Sequence, residues 1–134
     1  MKDGASLRVR EVMTTQPSTI DGMATVEAAL AMMRDRSISS LVVDRRDPGD
    51  EYGLVLVSDI AREAVGRSRP VSRIQVYEVM QKPAPYLTAD MKLKYAVRQM
   101  SRFGLTHCIV LDGRDMVGIV SLRDMTVRFL EAAT

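Results

Sequence analysis

The chain has 134 residues, 46% of them hydrophobic and 27% charged, which is the balance of a folded domain and argues against extended disorder. A formal net charge of +2 is too small for a dedicated nucleic-acid binder, and no apolar run approaches the ~20 residues of a membrane span. No signal peptide is visible, and the single cysteine cannot form an internal disulfide, so we expect a cytoplasmic protein with no membrane partner.

The first predicted elements follow one another in a short space. An extended segment near 18–20 precedes a helix, because apolar residues recur at i, i+3, i+4 and i+7 as Val26, Ala29, Leu30 and Met33. The elements that follow are a strand at 38–43, a turn at 47–49, a strand at 53–57 and a helix at 59–65. A segment rich in Ser, Arg and Pro then connects to the second half of the chain.

The second half repeats this order of elements. The string Val-Arg-Glu-Val-Met at 9–13 returns as Val-Tyr-Glu-Val-Met at 76–80, and the helical spacing returns as Leu93, Ala96, Val97 and Met100. The further elements of this half are extended segments at 86–87, 105–111 and 116–120 and a closing helix at 122–133. The repeat predicts an α/β (α+β) fold of two tandem β-α-β-β-α repeats, packed sheet to sheet into one module with pseudo-two-fold symmetry.

The repeats also set the expected domain boundaries. Residues 1–66 form the first repeat with its N-terminal segment, 67–75 form a linker, and 76–134 form the second repeat. The two copies differ in length by two residues, and this difference falls in the turn at 44–52. Loops accept insertions more readily than strands or helices, which is consistent with duplication of one unit.

Residues for catalysis are scarce. His107 and Cys108 are the only histidine and cysteine, and on a strand their side chains point to opposite faces, so they cannot act as a nucleophile–base pair. No metal-ligand spacing and no Gly-rich phosphate motif is present. We therefore expect no enzyme, no metal site and no required cofactor, and we expect Cys108 to be a core residue.

A hydroxyl and a carboxylate stand at the last strand–helix junction. The segment Gly118-Ile119-Val120-Ser121-Leu122-Arg123-Asp124 contains a Ser-x-x-Asp string, which is typical of a helix cap. The same junction offers backbone N–H groups and the positive end of a helix dipole to an anionic ligand. The residues alone leave both interpretations open. In the first repeat Leu56 replaces the serine, whereas Asp59 is kept.

The duplicated order, the Val-x-Glu-Val-Met openings and the 118–124 segment together resemble the CBS-domain pair, or Bateman module, over about 9–130. The resemblance implies a non-enzymatic regulatory module that binds an adenosyl ligand (AMP, ADP, ATP or S-adenosylmethionine) in the cleft between the repeats. Such a module signals by a change of conformation or of oligomeric state. A ligand-independent dimerisation or protein-interaction scaffold is the alternative.

Site residues are carried over from this resemblance. It implies that Asp124 holds the ribose hydroxyls, that Ser121 lies on the phosphate side and that Arg123 reaches phosphate. The residues expected to flank the base are Ala84, Tyr86, Thr106 and His107. A weaker or empty second site is expected in the first repeat, from Asp59 and Ser58 with Thr19, Ser39 and Ser40.

Partners follow from the same resemblance and from the surface. We expect a homodimer formed through the last helix, whose apolar side contains Leu122, Met125, Phe129 and Leu130, and an unidentified regulated protein that is contacted in trans. The linker region is basic, with arginines at 62, 67, 69 and 73, and a solvated surface is the simpler explanation. Nucleic-acid contact is a minor alternative, because an aromatic content of 4% leaves little for base stacking.

Overall fold

The computed structural model describes residues 6–133, which form two compact units. The first unit is Ser18–Ala84, and the second unit combines residues 6–17 with residues 85–133. Each unit has a three-stranded mixed sheet and two helices, so the predicted pair of β-α-β-β-α groups and the α+β class are confirmed. Within residues 6–133, every helix is too short or too polar to cross a lipid bilayer.

The first unit has strand order β1-β2-β3, with β1 parallel and β3 antiparallel to the central strand. Its elements are β1 (Thr19–Ile20), α1 (Val26–Arg36), β2 (Ser40–Val43), β3 (Gly53–Leu56) and α2 (Val57–Ile60), which a wider helical turn continues over Ala61–Val65. Thr25 caps α1, since its hydroxyl accepts a hydrogen bond from the Ala28 N–H at 3.1 Å.

The second unit repeats this topology with strand order β4-β5-β6. Its elements are β4 (Tyr86–Thr88), α3 (Leu93–Arg102), β5 (His107–Asp112), β6 (Asp115–Ser121) and α4 (Leu122–Ala133). The closing helix of the second repeat therefore has the predicted bounds, and the strands agree with the predicted ones to within two residues at either end.

Each unit has its own hydrophobic core on one side of its sheet. The predicted helical faces supply it, as Val26, Ala29 and Met33 from α1 and as Leu93, Ala96 and Met100 from α3. Cys108 is fully buried in the core of the second unit, which confirms the expected packing role. Apolar residues at helical spacing are thus buried because only one side of each helix can face a sheet.

The segment that opens each sequence repeat packs into the core of the other repeat's structural unit. Val9 is fully buried in the core of the second unit, where its N–H donates to Met91 O at 2.9 Å. Val76 is buried in the first unit in the same way and donates to Ala24 O at 2.8 Å. The structural units and the sequence repeats therefore divide the chain differently: residues 6–17 lie outside the first unit, and the predicted linker at 67–75 lies within it.

The glutamate repeated in the two Val-x-Glu-Val-Met strings has a local explanation. Both strings begin a single 3₁₀ turn, at Val9–Glu11 and at Val76–Glu78. Glu11 accepts a hydrogen bond from the Arg8 N–H at 3.2 Å, and Glu78 accepts one from the Gln75 N–H at 2.8 Å. The glutamate thus satisfies a backbone donor at the start of each turn.

Candidate functional site

The candidate residues of the second repeat gather at one end of the second unit's sheet. Because β4 and β5 are parallel and β6 runs the opposite way, the starts of β4 and β5 lie beside the end of β6. Tyr86 begins β4, His107 begins β5, and Ser121 ends β6 directly opposite His107. We call this the Asp124 end, formed by Tyr86, Thr106, His107, Ser121, Arg123 and Asp124.

Ser121 is the helix cap that its sequence pattern predicts. Its hydroxyl accepts a hydrogen bond from the Asp124 N–H at 3.0 Å, while the Leu122 N–H donates to Thr106 O at 2.8 Å. The Ser-x-x-Asp string therefore has a structural role, and the Ser121 hydroxyl still has its own proton to donate to a ligand.

The Asp124 carboxylate is accessible. Its side chain is 56% exposed, and its hydrogen-bond partner among the described residues is the neighbouring Arg123, at 3.1 Å. Arg123 is itself 82% exposed. An ion pair between two such solvated side chains contributes little stability and is easily rearranged. The carboxylate therefore has lone pairs available for further donors.

His107 adds a half-buried imidazole to this end. Burial lowers the pKa of His107 below its usual value, and the nearby Asp124 carboxylate opposes this shift without reversing it. The ring is therefore neutral at pH 7, with one nitrogen able to donate and the other able to accept. Nδ1 lies 3.0 Å from the Thr106 hydroxyl, which leaves Nε2 as the nitrogen without a partner among the described residues.

Tyr86 and Ala84 lie in different structural units. Tyr86 belongs to the Asp124 end, and the residue is 56% exposed. Ala84 is the last residue of the first unit, where it is buried and donates its N–H to Tyr52 O at 2.8 Å. The second unit thus contains six of the seven residues predicted for the main site, and Ala84 lies in the first unit.

The predicted second site falls at the corresponding end of the first unit. Thr19 begins β1, Ser40 begins β2 opposite Leu56, and Ser39 accepts the Val57 N–H through its carbonyl at 2.9 Å. We call this the Asp59 end, formed by Thr19, Ser39, Ser40, Ser58 and Asp59. Ser58 is exposed in the first turn of α2, and its hydroxyl makes none of the hydrogen bonds found for residues 6–133.

Asp59 differs sharply from Asp124. It is 4% exposed and is the one buried charged residue among those described. It accepts hydrogen bonds from the Leu56 N–H at 2.9 Å, from Arg62 Nη2 at 2.9 Å and from Gln81 Nε2 at 3.2 Å. Neither side-chain donor to Asp59 was predicted from the sequence. Arg62, three residues after the aspartate in a predicted helix, could have been found from that spacing, whereas Gln81 has no local signal.

The basic linker is largely neutralised by the chain itself. Arg62 pairs with Asp59 at 2.9 Å, and Arg69 pairs with Glu78 at 2.8 Å and with Glu63 at 3.5 Å. Arg67 lies 3.7 Å from the same Glu63. These contacts favour the explanation of a solvated, internally paired surface over that of a polyanion site.

Within residues 6–133 there is also no cluster of three or more potential metal ligands.

The apolar side of α4 is mostly used within the second unit. Met125 is fully buried, and Leu122 and Phe129 pack against the same core. Of the four residues predicted to form a dimer surface, Leu130 alone is exposed, at 56%. The sequence pattern overestimated the free apolar surface because it did not show how much of α4 covers the sheet.

Comparison with known proteins identifies the family. The family model described as CBS domain matches residues 9–66 and again residues 76–131, so the chain belongs to the CBS domain family. CBS domain pairs are in general regulatory, non-catalytic modules. The CBS domain-containing protein YhcV of Bacillus subtilis (strain 168) is 27% identical over 119 residues, which cover 89% of this chain and 83% of YhcV.

Solved structures share the fold. The hexameric CBS-CP12 protein from bloom-forming cyanobacteria is 29% identical, with a TM-score of 0.86 over 90% of this chain and 67% of that one. The CBS domain pair of protein MJ0100, solved in complex with 5′-methylthioadenosine and S-adenosyl-L-methionine, is 21% identical, with a TM-score of 0.80. That likeness covers 93% of this chain and 97% of the MJ0100 pair, and at this identity it shows the fold alone.

Proposed function

We propose that this chain is a regulatory module that binds an adenosyl ligand at the Asp124 end and signals by a change of conformation or of oligomeric state. The observation that carries the proposal is the accessible Asp124 carboxylate, which stands at a sheet end beside the capping Ser121 and the neutral His107. The adenosyl ligands held by the MJ0100 pair, which has the same fold, support this ligand class.

The chemistry of the Asp124 end suits a nucleoside. A carboxylate can accept hydrogen bonds from both ribose hydroxyls, and such charge-assisted bonds are each worth roughly 1.5–3 kcal/mol. The exposed Tyr86 ring offers a face to a purine, and His107 Nε2 can donate to or accept from its edge. The exposed Arg123 guanidinium supplies a positive charge for a phosphate.

A binding series on the purified chain tests this proposal. Thermal unfolding is followed with AMP, ADP, ATP, S-adenosylmethionine and GTP, for the wild-type chain, for Asp124→Asn and for Asp115→Asn as a matched control. Asp115 is an exposed carboxylate at the start of β6, the opposite end of that strand. A ligand at 100 times its Kd should add about 2.7 kcal/mol of stability, a shift of several degrees for a chain of this size.

The expected result is a shift with at least one adenosyl compound that Asp115→Asn keeps and Asp124→Asn loses. Losing charge-assisted acceptance from the ribose should weaken the affinity about 10- to 100-fold. If no compound shifts a folded wild-type chain, or if Asp124→Asn binds as well as the wild type, the ligand-binding proposal is wrong. The scaffold alternative would then account for the module.

Signalling through assembly is the second part of the proposal. The hexamer formed by CBS-CP12 shows that a protein with this fold can assemble into oligomers. Leu130 is the one residue of the predicted dimer surface that is exposed, at 56%, and we expect it to lie in a homodimer contact. Sedimentation velocity with and without the bound compound should show a dimer that Leu130→Glu weakens. A monomer at all concentrations would contradict this part. The regulated protein is expected to be contacted in trans.

A further inference from the structure

Both oxygens of the buried Asp59 carboxylate already accept hydrogen bonds from the chain. Its Oδ2 lies 2.9 Å from the Leu56 N–H and 3.2 Å from Gln81 Nε2, and its Oδ1 lies 2.9 Å from Arg62 Nη2 and 3.4 Å from Gln81 Nε2. Gln81 Nε2 spans both oxygens, so three donor groups hold the carboxylate, which is also buried. A ribose hydroxyl would therefore have to displace a donor that is already in place.

The two side-chain donors to Asp59, Gln81 and Arg62, have counterparts at the Asp124 end that do not hold Asp124 in the same way. Gln81 and Leu54 exchange backbone hydrogen bonds of 2.8 and 2.9 Å, and Thr14 and Ile119 exchange bonds of 2.8 and 3.0 Å. Positions 81 and 14 are thus structurally equivalent. Thr14 has a shorter side chain, which makes none of the hydrogen bonds found to Asp124 within residues 6–133.

The second counterpart lies on the closing helix. Arg62 stands three residues after Asp59, and Val127 stands three residues after Asp124. Val127 is 41% exposed, so the position has room for a longer side chain, but valine has no donor. The second unit forms although neither residue 14 nor residue 127 donates to Asp124. The fold therefore does not require this aspartate to be enclosed by side-chain donors.

We propose that the side chains at positions 62 and 81 close the Asp59 end, and that the side chains at positions 127 and 14 leave the Asp124 end open. On this proposal the chain takes one adenosyl ligand rather than two, and Asp59 fastens β3, α2 and the segment around Gln81 together. The proposal rests on the proposed function for its ligand, but the closure itself is a property of the free protein.

Leu56 adds a second reason for one ligand per chain. It occupies the position of Ser121, so the Asp59 end lacks the hydroxyl that caps the helix at the Asp124 end. At the start of α2 a different backbone donor is satisfied, because the Asp59 carboxylate accepts the Leu56 N–H. A capping box has two reciprocal hydrogen bonds, and each unit forms one of them. In the first unit this bond uses the Asp59 carboxylate, which is then not available to a ligand.

Transplanting the two donors tests the proposal directly. The variant Thr14→Gln with Val127→Arg should close the Asp124 end and weaken binding of the compound that shifts the wild type by at least about tenfold. Its matched control, Thr15→Gln with Gln99→Arg, adds the same side chains at exposed positions of the second unit and should bind as the wild type does. Isothermal titration should give one site for the wild type and for Asp59→Asn.

A measurement without ligand keeps the two proposals separable. Carbodiimide coupling of an amine to accessible carboxylates, read by mass spectrometry on the folded chain, should modify Asp59 at least about tenfold more slowly than Asp124. The Thr14→Gln, Val127→Arg variant should slow the coupling at Asp124, and the control variant should not. Equal coupling at Asp59 and Asp124, or two binding sites of which Asp59→Asn removes one, would overturn the closure. A protected Asp59 in a chain that binds none of the five compounds would support the closure and refute the proposed ligand.

Discussion

Ser37 and Gly104 occupy the same place after the first helix of their units, and both have a left-handed backbone, with φ of 53° and 65°. The N–H of each donates to the carbonyl three residues earlier, Arg34 and Ser101, at 3.3 Å. Glycine adopts this conformation freely, whereas a side chain with a Cβ is crowded by the neighbouring carbonyl. Both repeats therefore end their first helix with a residue in the left-handed conformation, and in the first unit this conformation strains the Ser37 backbone.

Replacing Ser37 with glycine should stabilise the protein. The side chain is exposed, so its loss removes the left-handed strain without removing a core contact. We expect Ser37→Gly to raise the free energy of unfolding by up to about 1 kcal/mol, and Gly104→Ser to lower it by a similar amount. Urea denaturation of the two variants measures both changes. Equal signs for the two substitutions would contradict the argument.

The two side-chain caps should contribute independently. Thr25→Ala removes the acceptor for the Ala28 N–H, and Ser121→Ala removes the acceptor for the Asp124 N–H. Each substitution should lower the free energy of unfolding by roughly 0.5–2 kcal/mol. The caps share no hydrogen-bond partner, so the double variant should lose the sum to within about 0.5 kcal/mol. Ser121→Thr keeps the hydroxyl and serves as the control. A large deviation from additivity would mean that the caps are coupled.

Local pattern was enough to predict the elements. The helix Leu93–Arg102 follows from apolar residues that recur every three or four positions, because this spacing places them on the side that covers the sheet. The cap at Ser121 likewise follows from residues within one turn. These features depend on neighbours in sequence, so one sequence contains the information needed.

Long-range contacts were not predictable in the same way. Val9 opens the first repeat, but its side chain packs in the core of the second unit and its N–H donates to Met91 O. No residue near Val9 in the sequence indicates either contact. The closure of Asp59 depends on Gln81, which lies 22 residues later. The strings around Asp59 and Asp124 look alike, and their different exposure arises from residues outside them.

Asp50 should make stability depend on pH in the acid range. Lys82 Nζ at 2.8 Å, together with the Arg46 N–H at 2.9 Å and Nε at 3.1 Å, holds the pKa of the Asp50 carboxyl far below its usual value. A carboxyl whose pKa is lowered by folding stabilises the native state above its unfolded-state pKa, about 3.9, and this contribution is lost as the pH falls below that value.

The substitution Asp50→Asn tests this dependence. The free energy of unfolding of the wild type should fall more steeply than that of Asp50→Asn between about pH 5 and pH 2. Lys82→Met, which removes the donor with the largest effect on the Asp50 pKa, should give an intermediate slope. Parallel curves for the wild type and Asp50→Asn would show that the ion cluster does not contribute to stability.

Cys108 should be unreactive in the folded protein. Burial raises the pKa of the Cys108 thiol to about 11, so little thiolate exists at pH 8, and the side chain is fully enclosed. Iodoacetamide at pH 8 should label the chain in urea but not in buffer, with mass spectrometry as the readout. Adding urea below the unfolding transition provides the control, since rapid labelling there would mean that the second unit opens locally before it unfolds.

The glycine on the last strand of each sheet, Gly53 on β3 and Gly118 on β6, should matter unequally in the two units. A Cβ at Gly118 would stand 2.7 Å from Thr14 O and 2.8 Å from Met13 Sδ. The Thr14 carbonyl cannot move away without breaking its hydrogen bond from the Ile119 N–H. A Cβ at Gly53 would meet the side chains of Met80 at 3.0 Å and Val43 at 3.1 Å, and the long methionine can turn aside.

Gly118→Ala should therefore lower the free energy of unfolding by about 2–3 kcal/mol, and Gly53→Ala by about 1 kcal/mol. Urea denaturation gives both values, and hydrogen exchange at the Ile119 amide shows whether the bond to Thr14 is the one that fails. Fast exchange at Ile119 in Gly118→Ala, with slow exchange at Leu54 in Gly53→Ala, is the expected pair of results. Equal losses would mean that the backbone of residues 13–14 yields as easily as the Met80 side chain, and the requirement for glycine at 118 would then need another cause.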